Sequence, residues 1–217
     1  MKNPFKRKKG SSLKAAGRCF VRLLSRLGGW TRRLFARLTG DIQRRVFLSK
    51  LQQGDIILAS PATLKLSAVN LMYRFLLKAR YVHSMLYLGG GKIIHTTAKK
   101  GVQIADVPKK VFRKAHYNVF RLKDIDKEQR KRVTAEALKL RGHLLDPVGM
   151  ITNVPARLFG LRKPLLKLEQ NRLWCAKLIY RAYSAAGIEL VPLADREVVT
   201  SEDISGSPLL YSISYKS

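Results

Sequence analysis

The chain has 217 residues, 46% of them hydrophobic, enough for one domain with its own core plus an appendage. Forty-three Lys and Arg stand against 14 Asp and Glu, a formal net charge of +29, so the surface field favours a polyanionic partner while leaving the type of reaction open. The two cysteines, Cys19 and Cys175, lie far apart, which argues against a disulfide framework and fits a reducing compartment.

Residues 1–40 hold twelve Lys or Arg and no acid; the first acidic residue is Asp41. Leu13, Ala16, Phe20, Leu23, Leu24, Leu27, Leu34, Phe35 and Leu38 recur at threes and fours, while Arg18, Arg22, Arg26, Arg33 and Arg37 fill much of the other side. This pattern predicts one or two basic amphipathic helices, kinked at Gly28-Gly29, with Trp30 suited to a membrane interface. The favoured reading is attachment to an anionic membrane, where each basic residue near the surface contributes about 1 kcal/mol. Its competitors are packing on the protein's own domain, an organelle transit peptide and nucleic-acid binding. No aromatic-interleaved basic motif or zinc spacing supports the last. Arg22 and Arg26 interrupt the apolar stretch, against a cleavable secretory signal, and no charge-free run approaches the ~18 residues of a bilayer span. The expected location is cytoplasmic and peripheral to a membrane, with export by an uncleaved signal as the alternative.

After this segment, 1–45, a domain is expected over 46–217. Gly54-Asp55-Ile56-Ile57-Leu58 predicts a buried strand, and 66–79 a helix with Val69, Leu71, Met72, Phe75 and Leu76 apolar. Residues 83–88 and 92–96, split by Gly89-Gly90-Gly91, predict a hairpin. Further strands are predicted over 101–105 and 117–121, then a helix from an Asp126 cap to about 141, ended by Gly142. Residues 143–172, with Pro147, Pro155 and Pro164, predict a loop along a substrate cleft. A helix over 174–186 would bury Leu178, Ile179, Ala182 and Ala185 and stop at Gly187; 204–215 reads as a last strand.

Cys175 falls at the start of that late helix, with Asn171 as the expected cap. Unpaired N–H groups of a first helical turn favour a thiolate there. Taken alone, a single cysteine is more often a small buried hydrophobe. Two histidines shift the balance. His83 opens one predicted strand and His95 lies twelve residues on, across the glycine turn, so the hairpin sets one imidazole to orient the other. Nucleophile, base and orienter form the general arrangement of covalent hydrolysis. His116 and His143 lack such a relation and read as structural. A metal held by His83, His95 and Cys175 is a weaker reading, because no close ligand pair accompanies them, and no cofactor is expected.

The motifs Gly54-Asp55-Ile56, His83-Ser84-Met85-Leu86-Tyr87-Leu88-Gly89, Ile94-His95 and Trp174-Cys175-Ala176-Lys177-Leu178-Ile179-Tyr180 occur in the order found in circularly permuted NlpC/P60 (papain-like) proteins. The chain resembles that family over roughly 50–215, and most of all its YiiX-like branch, with lecithin:retinol acyltransferase and the H-rev107-type phospholipase/acyltransferases as relatives. The resemblance implies an α+β fold, a small antiparallel β-sheet packed against helices, here preceded by the basic amphipathic segment. It also implies Cys175 as nucleophile, His83 as base and His95 in the third, polar position. Two positions depart from the pattern: Ala176 stands where Ser is common, and Leu145 stands where a Gly-x-x-Tyr-Asp element has its tyrosine. The activity implied is hydrolysis or acyl transfer at an ester, thioester or amide through a thioacyl-enzyme. The basic segment points to a lipid or membrane-bound acyl substrate. Cell-wall peptide cleavage and an inactive membrane-binding module are the alternatives.

Overall fold

The apolar run Ile56–Ala59 forms β1, buried along its whole length because strands flank it on both sides. It pairs antiparallel with β2 (His83–Gly89) in the register Ile57↔Met85 and with β5 (Tyr117–Leu122) in the register Ile57↔Val119. β3 (Lys92–Thr97) and β4 (Gly101–Asp106) extend one edge and β8 (Leu210–Ser212) the other, giving the order β4-β3-β2-β1-β5-β8 with every pairing antiparallel. The fold of this computed structural model is thus α+β, a six-stranded antiparallel sheet packed with helices. The structure describes residues 41–42, 44–61, 68–109, 117–161, 163, 166, 171–191 and 198–213. The chain divides into a unit Met1–Val46 and a unit Phe47–Ser217, and the fold is that of the second.

Alternation along the strands sorts the core into two layers. Ile56, Leu58, Leu86 and Ile94 meet Val133 and Ala137 of α2 (Lys127–Lys139) and Leu178, Ile179 and Ala182 of α4 (Cys175–Ala185). Ile57, Met85, Tyr87, Ile93 and Val119 face the other way, where Phe47 and Leu51 pack. The Asp126 cap is found as expected, completed by Gln129 into a reciprocal capping box. Among the described residues no helix is long and apolar enough to cross a membrane.

Two stretches differ from the sequence reading. Residues 143–172 are not simply a loop: β6 (Leu144–Leu145) pairs in parallel with β7 (Arg172–Leu173), and α3 (Pro147–Leu158) lies between them. Pro147 occupies the first helical position, where no N–H is needed, and the Asp146 side chain caps the Gly149 N–H at 2.7 Å. A side chain at Gly149 would collide with that carboxylate, 2.3 Å from the Cβ position, and with the Trp174 ring at 2.9 Å. At the C-terminal end, the expected strand over 204–215 forms over the shorter span of β8 (Leu210–Ser212), and a short helix, α5 (Ser201–Ser205), precedes it. A capping box of Thr200 and Asp203 starts that helix. α1 (Ala68–Leu76) packs on α3, with Tyr73 against Val154.

Candidate active site

α4 begins abruptly after Trp174, whose backbone is extended (φ −96°, ψ 169°) and whose side chain makes no cap. The first-turn N–H groups are therefore available at Cys175, the first helical residue. Asn171, the expected cap, lies in the turn before β7, where its carbonyl accepts the Leu144 N–H at 3.0 Å. Trp174 is pinned instead, its indole N–H donating to the Val199 carbonyl at 2.8 Å and Lys177 standing 4.7 Å from the ring centre.

Cys175 is half-buried, and its thiol lies 4.0 Å from the Val82 carbonyl. Burial pushes its pKa up; the backbone N–H groups of Ser84, Ala176 and Cys175 and the Ser201 hydroxyl pull it down without cancelling that. At neutral pH the resting group is the thiol.

His83 and His95 are diagonal neighbours across β2 and β3 in the register Leu86↔Ile94, and His83 Nε2 lies 3.1 Å from His95 Nδ1. The rings meet edge to face with centroids 5.4 Å apart. Burial first, then the neighbouring His95, lowers His83 from 6.5 to about 3; burial also lowers His95. Both imidazoles are neutral at pH 7, one donating and the other accepting. His95 Nε2 is buried and has no hydrogen-bond partner among the described residues.

Strand parity separates His83 from Cys175. His83 shares the parity of Met85 and Tyr87, which face away from α4; Ser84 shares that of Leu86, which packs under α4. The thiol meets the carbonyl of Val82, the residue before His83, and no hydrogen bond joins thiol and imidazole. Both still line one cleft of about 420 Å³, together with His95, Thr96, Leu145 and Met150. Leu145 is thus a cleft-wall residue.

Three supports were not legible as site residues. Ser201 Oγ lies 2.8 Å from Ser84 Oγ, both buried, beside the thiol. The Glu202 carboxylate accepts the Tyr81 N–H at 3.0 Å and also the Arg80 N–H, holding the chain that leads into His83. Tyr73 of α1 donates to the Met150 carbonyl at 3.1 Å and accepts from Asn153 at 3.1 Å, bracing α3 along a small enclosed space next to Cys175. The Thr-x-x-Asp pattern at 200–203 was the available signal for α5. Arg18, Arg22, Arg26, Trp30, Arg33 and Arg37, together with Cys19 and His116, lie outside the described residues.

No family model matches the chain, and no curated protein does. Among solved structures, the metalloprotein yiiX from Escherichia coli O157:H7 superposes with a TM-score of 0.55 at 16% identity, covering 76% of this chain and 97% of that one. The fold is YiiX-like. The likeness to YiiX is one of fold, and it spans nearly the whole of that protein. YiiX is a metalloprotein; here, among the described residues, no group of three or more His, Cys, Asp or Glu side chains is placed to hold a metal ion.

Proposed function

We propose that the chain is a cysteine hydrolase or acyltransferase that forms a thioacyl-enzyme on Cys175, with an ester, thioester or amide of a lipid or membrane-bound molecule as substrate. The observation that carries this reading is the imidazole pair in the cleft. His83 Nε2 is engaged by His95 Nδ1, which leaves His83 Nδ1 as the basic nitrogen beside the cleft that Cys175 also lines. That is the orienter-to-base relation of a nucleophilic site. The YiiX-like fold supports a papain-like hydrolase, and the permuted NlpC/P60 proteins that the sequence resembles carry His before Cys along the chain, as here.

Thiol and imidazole both start neutral, so the proton moves during attack. Rotation about the Cys175 Cα–Cβ bond carries the sulfur from the Val82 carbonyl into the cleft. His83 Nδ1 takes the thiol proton as the S–C bond forms, and its Nε2–H then donates to His95 Nδ1. The carbonyl oxygen becomes an oxyanion facing the Cys175 N–H at the start of α4. Collapse expels the alcohol, thiol or amine with the proton from His83. Water or a second acceptor attacks the thioester and restores the thiol. The acid-free basic pattern over 1–40 supports anchoring of segment 1–45 to an anionic membrane.

The missing Cys175–His83 hydrogen bond and the upward shift of the thiol favour a second reading, a membrane-binding module with an idle site. Intact-protein mass spectrometry after exposure to a panel of acyl esters and thioesters separates the two. An adduct on the wild type, weaker in His83→Ala and absent in Cys175→Ser, is the expected result. No adduct, together with sluggish alkylation of Cys175, would leave the idle module standing.

A further inference from the structure

α3 starts at the cleft and ends in solvent. Met150, in its first turn, lines the cleft beside Cys175. Ile151 is 46% exposed, and Leu158 and Phe159 are 53% and 77% exposed. Ile151 and Leu158 are seven residues apart and so share one face of the helix. The chain then folds back along the same helix. The Leu161 N–H donates to the Ala156 carbonyl at 2.8 Å, and the Leu166 carbonyl accepts the Thr152 hydroxyl at 3.0 Å. Leu161 and Leu166 are themselves 38% and 63% exposed. Single apolar residues on a surface need no explanation, but five large ones along one helix and its return do.

Charge identifies what covers them. No acidic residue falls between Asp146 and Glu169, whereas Arg157, Arg162, Lys163 and Lys167 do. Arg157 is paired with Asp203, and the other three leave the stretch positive. An apolar surface in an acid-free, net-positive stretch of the chain matches an anionic bilayer, which offers hydrocarbon below and negative headgroups above. The chain's own residues 1–40, with twelve bases and no acid, bring like charge to that surface, and so does a second copy at +29.

We propose that the exposed end of α3, with Leu161 and Leu166, forms a second membrane-contact surface, which sets the mouth of the cleft against an anionic lipid bilayer. The purpose of this contact rests on the lipid-directed reading above; its test does not. Full-length wild type and Leu158→Ser/Phe159→Ser are co-sedimented with vesicles of phosphatidylserine and phosphatidylcholine in equal parts, and with phosphatidylcholine alone. Turnover of a short soluble ester and of a vesicle-embedded ester is measured in parallel. The variant is expected to bind the mixed vesicles about tenfold more weakly, roughly a 1.4 kcal/mol loss. Turnover of the embedded ester should fall with it, while that of the soluble ester is unchanged. Should the double variant fail to fold, Phe159→Ser alone, at 77% native exposure, gives the same comparison. Equal vesicle binding by wild type and variant overturns the proposal, as does wild-type binding that ignores phosphatidylserine. A wild-type dimer that the substitutions convert to a monomer assigns the surface to a second copy instead. If the wild type turns over neither ester, the catalytic reading falls, and the vesicle comparison still decides the surface.

Discussion

Two buried polar regions of this domain are built in opposite ways. Asp55, fully buried before β1, has its carboxylate saturated: Arg121 Nε and Nη2 reach Oδ1 and Oδ2 at 2.7 and 2.8 Å, and the Gln52 N–H reaches Oδ2 at 2.8 Å. Arg121 also donates to the Lys50 carbonyl at 2.8 Å. Around the cleft, by contrast, His95 Nε2 and Thr96 Oγ1 have no partner among the described residues, nor do Asp146 Oδ2 and Asn153 Oδ1 on the flanking helix. Each unpartnered buried group costs about 1–3 kcal/mol. The first region is what stability alone requires. The second keeps hydrogen-bonding capacity in reserve beside the proposed nucleophile, as a substrate-binding region does.

The sharpest test of this contrast exchanges function for stability at the two places. Cys175→Ser is expected to lower acyl-adduct formation by roughly 10³-fold or more with little change in melting temperature. Retained activity would move the reacting centre elsewhere. Asp55→Ala should do the reverse, costing about 3–5 kcal/mol in urea unfolding because Arg121 is left buried without its carboxylate. A loss below about 1 kcal/mol would show the pair to be replaceable by water.

Gly101→Ala probes the backbone behind the cleft wall. Gly101 has φ +61°, and a Cβ there would meet the His143 carbonyl oxygen at 2.1 Å, against the backbone that leads into the cleft wall at Leu145. Left-handed strain alone predicts about 1–3 kcal/mol of destabilisation, read by thermal melting. An unchanged melting curve would mean that the β4–β6 junction yields easily.

Proton binding distinguishes the regions more gently. His83 has its folded-state pKa lowered from 6.5 to about 3, so the unfolded chain takes up the proton first. Stability from this group is full above about 6.5 and is lost as pH falls towards about 3. Melting temperature against pH should therefore slope more steeply in wild type than in His83→Gln across that window. Parallel curves would place the imidazole in water. The smallest effect is expected from Ser201→Ala, which removes a hydroxyl that lowers the thiol pKa. The pH midpoint for iodoacetamide alkylation of Cys175 should rise by an amount equivalent to about 1 kcal/mol or less. A midpoint that stays put would confine Ser201 to its bond with Ser84.

Much of the fold was readable because strand burial and hairpin turns are local. The run Ile56–Leu58, the glycine turn and the Asp126 cap each carry their signal within a few residues, whereas the antiparallel sheet was implied by the family resemblance and its six-strand order is set by long-range pairing. The stretch 143–172 was misread because prolines signal interruption unless one knows that Pro147 sits at a helix start. Asn171 has the residue type of a cap, yet the chain turns earlier and leaves Trp174 in that place.

The sequence by itself determined the two-period patterning, the residues able to carry chemistry and the hairpin that brings His83 within 3.1 Å of His95, since each depends on near neighbours. Only the tertiary structure decided that Cys175 faces the Val82 carbonyl, that Ser201 and Glu202 brace the entry to β2, and that Asp55 meets Arg121. Those contacts join residues 66 to 121 positions apart, and the identity of the residues contains no local term that sets such distances.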